Sequence, residues 1–495
     1  MPTGLKIPES GHTRLIIGLL LLCILMVLFI RIRLVNVVVP NVGGIEQNVI
    51  YSCQTLASGK TLYTDPELEP YSFIQYTPLY FYLVAAGGKL MGIQAGEPFH
   101  WCALSRFMSL IFNLLLIIVV YFSLRKLYTG RPWNHLLTAL LLFVFFEQQD
   151  YSRPDSLYHL FFALTIFQFT RIYRLRGNNG IRLPLILAAV FLSLSIFSKQ
   201  SGVFLLLYTL IALVILKVRL RNSLLFMAAF VLSTALLYLL LLPEPPMVVY
   251  KNIVIGIMNG FDLAWAIRLY LLPALPRFMV FFFVIILALL FRRQAQLAGL
   301  WFLTAGALFY VIIAVMSGMK WGSGTNYFFE CCLLSLLLIP ALLQLFSDTW
   351  KPEILKPMLL AAVIVFILPQ PGIVAWRDYY KNDLDTYIKE RQLSNSLRAK
   401  PWFKAEDRVV VLQQTWLNNF LYDKALFPQP DVITTFFPPA RKQQIYKPKQ
   451  PDTTGTIYLI TNYPKFLPEV FHLNTAHYRP IWMQHEWLVL GPENL

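Results

Sequence analysis

Charge is what this chain has least of: of its 495 residues only 14% are Asp, Glu, Lys or Arg, while 57% are hydrophobic. Soluble domains carry about a quarter charged residues and less than half apolar ones, so a freely soluble fold is excluded and an integral membrane protein is implied. Acids are the scarcer sign, 26 against 42 Lys and Arg, which leaves a net charge of +16. Such an excess would suit nucleic acid, but most of the bases fall in short segments between apolar runs, which removes that reading. Cysteine is sparse too: the five, at 23, 53, 102, 331 and 332, have neither metal-ligand spacing nor the density of a disulfide framework. Cys53 and Cys102 fall on one membrane face in the topology below, which leaves a single bridge open. No internal repeat of hydropathy stands out. No small-residue cleavage site follows the first apolar run, which therefore reads as a retained span rather than a signal peptide.

Apolar runs of spanning or near-spanning length recur at 15–39, 104–124, 134–147, 155–171, 183–197, 201–216, 222–242, 270–291, 295–316, 327–346 and 356–375, giving about eleven spans. Lys and Arg orient them, because cytoplasmic loops accumulate positive charge. Arg125-Lys126, Arg171 to Arg182, Lys217 to Arg221, Arg292-Arg293 and Lys351 fall on one side, while Glu46, Asp65, Glu67, Glu69, Asp155 and Glu244 fall on the other, with Arg31 and Arg33 near the outer end of the first span as exceptions. The acidic side is read as the outer one, and an odd number of spans places the C-terminus there as well. The stretch 78–92 is too short and glycine-interrupted to span, and reads as an interfacial helix within a first outer loop at 40–103. After Trp376 polar residues alternate with β-rich runs such as Arg408-Val-Val-Val and Thr456-Ile-Tyr-Leu-Ile-Thr. That pattern predicts a small α/β or α+β outer domain at 376–495, following a membrane domain at 1–375.

Chemistry-bearing residues gather at outer helix ends. Glu46 follows the first span, in Gly43-Gly44-Ile45-Glu46-Gln47, and reads as part of a loop, where a carboxylate is either a base at the lipid–water boundary or simply solvated. The others are Ser152-Arg153-Pro154-Asp155-Ser156, Ser198-Lys199-Gln200-Ser201-Gly202, and Lys320 with Gly322-Ser-Gly-Thr-Asn326-Tyr327-Phe-Phe-Glu330. Taken singly, Arg153 and Asp155 would pair, Lys199 would snorkel to headgroups, and the glycines would make a turn. Ionisable groups near membrane depth are expensive and face a cavity or a partner, so their convergence on one face suits a phosphate held close to a base.

At these residues the chain resembles the GT-C superfamily of polytopic glycosyltransferases, especially the bacterial branch related to protein O-mannosyltransferases and the lipid A aminoarabinose transferase. The resemblance is carried by Gly44-Ile-Glu46, the following Ala-Ser-Gly-Lys-Thr-Leu-Tyr-Thr-Asp-Pro, Tyr76-Thr-Pro-Leu-Tyr-Phe-Tyr, Ser152-Arg-Pro-Asp-Ser, Ser198-Lys-Gln-Ser-Gly and Gly322-Ser-Gly-Thr-Asn-Tyr-Phe-Phe-Glu. It covers roughly residues 10–346. It implies an all-α membrane fold, a catalytic acid in the first outer loop and a polyprenyl-phosphate sugar as donor. The family often has an Asp-Glu pair in that loop; here only Glu46 matches, with Ile45 before it.

The expectation is an inverting glycosyltransferase of the bacterial inner membrane, working at the periplasmic face on a lipid, glycan or protein acceptor. Phosphate is a good leaving group, so one base and a set of cations suffice. Glu46 is the expected base, its basicity raised by burial against Tyr80 and Tyr82, and Asp155 a second carboxylate that orients acceptor or sugar. Arg153, Lys199 and Lys320 are the expected phosphate contacts, with Gln200, Asn326 and Tyr327 lining the pocket. No dedicated metal site is expected, although a divalent metal is compatible with the chemistry. Two other readings are a transporter or lipid flippase, which also sets charges near the midplane, and a polysaccharide polymerase or ligase. The missing repeat and the long acidic-aromatic first loop disfavour the former. A polymerase or ligase would put its long basic loop late in the chain, whereas here the long loop is the first.

Overall fold

A computed structural model describes residues 11–38, 45–129, 132–145, 152–175, 179–258, 260–261, 263–320, 323–347, 371–412, 415–429, 455–462 and 477–493. The expected span at 356–375 lies mostly outside the described residues, as does the loop at 39–44 before Glu46. The apolar runs fold as helices: α1 (Gly11–Val35), α2 (Ile45–Ala57), α3 (Leu79–Leu90), α4 (Pro98–Leu127), α5 (Pro132–Phe145), α6 (Asp155–Arg174), α7 (Arg182–Ser198), α8 (Gly202–Ile215), α9 (Leu220–Leu241), α10 (Pro246–Ile253), α11 (Leu272–Leu290), α12 (Trp301–Gly318) and α13 (Phe329–Ser347). Among the described residues four helical segments, Pro98–Leu127, Leu220–Leu241, Trp301–Gly318 and Thr325–Leu345, have both the length and the apolarity to cross a membrane.

Lipid-facing and protein-facing helices separate cleanly. In α9 only Phe226 is buried, and Leu232 and Leu239 are 73% and 77% exposed, as expected of a helix whose surroundings are hydrocarbon. By contrast α6 buries residues on every side, including Asp155, His159, Thr165 and Gln168. Leu160, Phe162 and Ile166 of α6 share one core with Leu192 of α7, Tyr310 of α12 and Phe329 of α13. Each buried polar side chain there must find a partner inside the bundle.

The segment read as a first outer loop is largely structured. Glu46 stands in the first turn of the helix α2, not in a loop, and is fully buried, which removes the solvated-acid reading. The stretch 78–92 does form a short helix, α3. Gly88 permits its close approach to α4, since a Cβ there would lie 2.1 Å from the Trp101 ring. Cys53 and Cys102 are both buried and free.

The tail contributes the helix α14 (Pro371–Arg398), which runs through the boundary expected at 376, and the short helix α15 (Trp416–Phe420). Its strands β1 (Arg408–Val411), β2 (Ile457–Thr461), β3 (Tyr478–Gln484) and β4 (Trp487–Pro492) form one sheet in the order β1-β2-β4-β3. The β1–β2 pair is parallel and the other two are antiparallel. Alternate residues Val409, Val411, Tyr458, Ile460 and Val489 pack on Leu393 and Leu397 of α14. The tail is anchored to the segment 38–71 at several points. Trp416 Nε1 donates to Val38 O at 2.7 Å, Asn419 Nδ2 to Gln47 O at 3.0 Å, and Tyr71 N to Leu426 O at 2.9 Å. Arg408 pairs with Glu69.

Candidate active site

Three chain reversals at one end of the helices converge on Asp155. The first is Ser152-Arg153-Pro154, where Pro154, at φ −63°, is preset for the helix that follows. Asp155 then opens α6, where a carboxylate also meets the positive end of the helix dipole. The second reversal joins α7 to α8. Gly202 N donates to Lys199 O at 2.9 Å, and a Cβ on Gly202 would sit 2.7 Å from the Ile196 backbone, so only glycine lets the turn close and leave Lys199 at its apex. The third is the turn Thr325–Phe328 that leads into α13.

Lys199 Nζ and Asn326 Nδ2 both donate to Asp155 Oδ1, each at 2.7 Å. Arg153 Nε lies 3.5 Å from Asp155 Oδ2, which accepts no hydrogen bond. Asp155, Arg153 and Lys199 are all buried. The Lys199 ammonium sits over the Tyr327 ring at 5.2 Å and near the Tyr158 ring at 5.9 Å, a geometry that supports a desolvated cation. Tyr76 interacts with both Arg153 and Lys199, and Gln200 Nε2 donates to Gln75 O at 2.8 Å, tying the segment around Gln75 to the α7–α8 turn. Lys320, just beyond α12, forms no ion pair among the described residues. Burial first, and then the charge of Lys199, pull its ammonium down to about 8. Two cations therefore share one carboxylate, with a third, Lys320, close enough to feel the charge of Lys199, a surplus that an arriving anion would relieve. Among the described residues no group of three His, Cys, Asp or Glu is arranged to hold a metal.

Glu46 lies in a neighbouring buried cluster. Arg106 Nε donates to its Oε1 at 2.8 Å and Nη2 to its Oε2 at 2.5 Å, while the Ser152 N–H donates to Oε1 at 2.8 Å. Arg106 also donates to Leu34 O at 3.0 Å and Val37 O at 2.6 Å, so it ties the end of α1 to α2 and α4. The two oxygens of Glu46 are thus engaged, and its link to the Asp155 cluster runs through the backbone of Ser152. Tyr80 belongs to this cluster rather than to the Asp155 pocket: its hydroxyl donates to Ser105 O at 3.0 Å and meets Ser109 Oγ at 2.9 Å. Tyr82 is half-buried and faces the charge of Glu244 instead. Of the expected site, Arg153, Asp155, Lys199, Lys320, Gln200, Asn326 and Tyr327 come together; Glu46, Tyr80 and Tyr82 do not join them. The residue missed from sequence is Arg106. Its signal was present, a lone cation inside the apolar run 104–124, where such a charge requires a buried partner.

No protein-family model matches the sequence, and no curated protein matches it significantly. Similarity appears at the level of fold. The crystal structure of ArnT from Cupriavidus metallidurans bound to undecaprenyl phosphate superposes with a TM-score of 0.58 at 12% identity, over 96% of this chain and 98% of that one. The oligosaccharyltransferase of Archaeoglobus fulgidus in its apo form gives 0.56 at 13% identity, over 92% and 70%. The archaeal oligosaccharyltransferase AglB from the same organism, in complex with an inhibitory peptide and a dolichol-phosphate, gives 0.54 at 13% identity, over 91% and 70%. The chain has the fold of the GT-C glycosyltransferases.

Proposed function

We propose that this protein transfers a sugar from a polyprenyl-phosphate donor to an acceptor hydroxyl at the outer, periplasmic face of a bacterial inner membrane. The observation that carries the reading is the surplus of cations at Asp155: Arg153 and Lys199 are buried on one carboxylate, with Lys320 unpaired beside them. Undecaprenyl phosphate and dolichol-phosphate in the structural neighbours are ligands of the chemistry this surplus would accept. Arg153, Lys199 and Lys320 would hold the donor phosphate, and Tyr327 and Asn326 would bound its pocket.

The reaction is a single displacement. The acceptor oxygen forms a bond to the anomeric carbon, the bond from that carbon to the phosphate oxygen breaks, and the phosphate keeps the electron pair. The three cations stabilise that charge as it develops. The acceptor oxygen attacks from the face opposite the phosphate, so the configuration inverts, and its proton passes to a carboxylate of the site. Two carboxylates were candidates for that base. Asp155 Oδ2 retains acceptor capacity next to the cations, whereas Glu46 is engaged on both oxygens by Arg106. We therefore assign the base to Asp155, and to Glu46 the task of fixing the Ser152–Asp155 turn through the Ser152 N–H. We read the tail after about residue 376, bonded to Val38, Gln47 and Tyr71, as a wall of the acceptor side.

The test is incubation of membranes containing the protein with labelled polyprenyl-phosphate sugars. A labelled glycan, lipid or protein should appear with the wild type and not with Asp155→Asn. A flippase would instead move the intact donor across the bilayer with no product, which would overturn the reading.

A further inference from the structure

A second buried ionisable pair lies one helical turn from Asp155. His159 follows Asp155 by four residues on α6, so the two side chains share a face of that helix. Glu330, in the first turn of α13, likewise follows Asn326 by four residues. The two elements therefore meet in two successive contacts. In the first, Asn326 Nδ2 donates to Asp155 Oδ1 at 2.7 Å. In the second, His159 Nε2 stands 3.6 Å from Glu330 Oε1, an ion-pair separation. His159 is 1% exposed and Glu330 4%.

Aromatic rings hold the pair from the sides. The His159 ring packs edge-on against the Tyr158 ring at 4.8 Å and the Phe329 ring at 5.9 Å. Tyr158 also interacts with Glu330, and its ring lies 5.9 Å from Lys199 Nζ. Asp155 interacts electrostatically with His159. Ionisable side chains inside a membrane bundle are expensive, and apolar residues of the same volume would avoid the cost of desolvating a charge pair. What the polar pair adds is register. Apolar packing alone would let the first turn of α13 shift against α6, whereas two polar groups of fixed reach pin it, and with it the turn that carries Asn326 onto Asp155.

Resting on the assignment of the base to Asp155, we infer that His159 and Glu330 are positioning residues for it. They hold the Thr325–Phe328 turn so that Asn326 and Lys199 engage Asp155 Oδ1 and Oδ2 stays aimed at the acceptor. Neither residue touches donor or acceptor. Loss of the pair leaves the phosphate contacts of Arg153 and Lys199 in place and misdirects the base. Displacing a group by about 1 Å costs on the order of 10²-fold in rate, so the effect falls on kcat and not on the KM for the donor.

The experiment measures donor-saturated turnover and donor KM per folded molecule, in membranes containing the full chain and supplied with labelled polyprenyl-phosphate sugars. His159→Leu and Glu330→Leu should each lower kcat by about 10²-fold, with donor KM and retention of undecaprenyl phosphate little changed. His159→Gln combined with Glu330→Gln puts an uncharged hydrogen-bonding pair of similar reach in the same place and should recover most of the lost kcat. That double variant keeps the inference falsifiable where the leucine variants fold poorly. Unchanged turnover per folded molecule in the leucine variants, a loss carried by donor KM, or a double variant that folds like wild type yet turns over as slowly as the leucine variants would each overturn the inference. A second readout needs no turnover: nitrogen-15 NMR of labelled histidine in the purified full chain in nanodiscs, with the His159 signal identified by its loss in His159→Leu. That signal should shift in Asn326→Ala, because the two contacts are coupled, and an unmoved signal would overturn the inference. Absence of transfer by the wild type together with a shifted signal would instead overturn the proposed function and leave the coupling of the two contacts in place.

Discussion

Glu46→Gln separates two roles for the first-loop carboxylate. The substitution preserves shape and an acceptor for the Ser152 N–H, but it sets an amide NH2 against the Arg106 Nη2, which now approaches Glu46 Oε2 at 2.5 Å. Arg106 is 1% exposed and Glu46 is 0% exposed, so the guanidinium would lose its compensating negative charge while keeping its bonds to the carbonyls of Leu34 and Val37. Removing one partner of such a pair costs about 3–5 kcal/mol, whereas replacing both by apolar groups is often neutral. Glu46→Gln should therefore lower the melting temperature of the purified protein markedly, and Glu46→Leu combined with Arg106→Met should recover most of the loss. Turnover per folded molecule should fall by less than the 10²–10⁴ expected for removal of a general base. The assay is thermal unfolding followed by intrinsic fluorescence, run beside a transfer assay normalised to folded protein. A Gln variant that melts like wild type but loses turnover by about 10² or more would refute this reasoning and return the base to Glu46.

Asp155→Asn should abolish transfer by about 10²–10⁴ per folded molecule while retaining undecaprenyl phosphate, which mass spectrometry of the intact complex would read. Glu390, buried in the tail, accepts from Leu417 N at 3.0 Å, and burial pushes its carboxyl from 4.5 up to about 8. The folded form binds the proton more tightly, so this contribution is present in full below the unfolded value and is lost as pH rises through about 8. The melting of the tail should thus fall between about pH 5 and pH 8, and Glu390→Gln should flatten that slope; an unchanged slope would show that Glu390 does not set it. For sidedness, a cysteine at exposed Lys60 should react with an impermeant thiol reagent from the periplasm in a background lacking the native cysteines, and one at exposed Arg219 should not. Reaction at Arg219 from outside would invert the orientation.

Much of the fold is legible in the sequence because long apolar runs have few alternatives in a membrane. The runs at 104–124, 222–242 and 327–346 became α4, α9 and α13 with small shifts at their ends. The run at 356–375 lies mostly outside the described residues. The segment after α1 was harder, since Ile45–Ala57 mixes Glu, Gln, Asn and Ser with apolar residues, and its burial depends on α4 and on the tail segment 416–420, far away in sequence. The site divides in the same way. Asp155, Lys199 and Asn326 were legible because each stands at the break of an apolar helix, where a charge needs a reason. The pairing of Glu46 with Arg106 was not, because 60 residues separate the partners and nothing local couples them. Tyr80 and Tyr82 shared a motif, but α3 turns them to different neighbours.

The central claim is that Arg153 and Lys199 hold a lipid phosphate, and retention of undecaprenyl phosphate by the intact protein in mass spectrometry tests it most directly. Wild type should retain one lipid per chain in preference to undecaprenol, which lacks the phosphate. Arg153→Gln and Lys199→Gln should each lose about tenfold or more of that preference, as for a charge-assisted contact in a partly desolvated site. Equal retention of the phosphate and the alcohol, or full preference in both variants, would contradict the account.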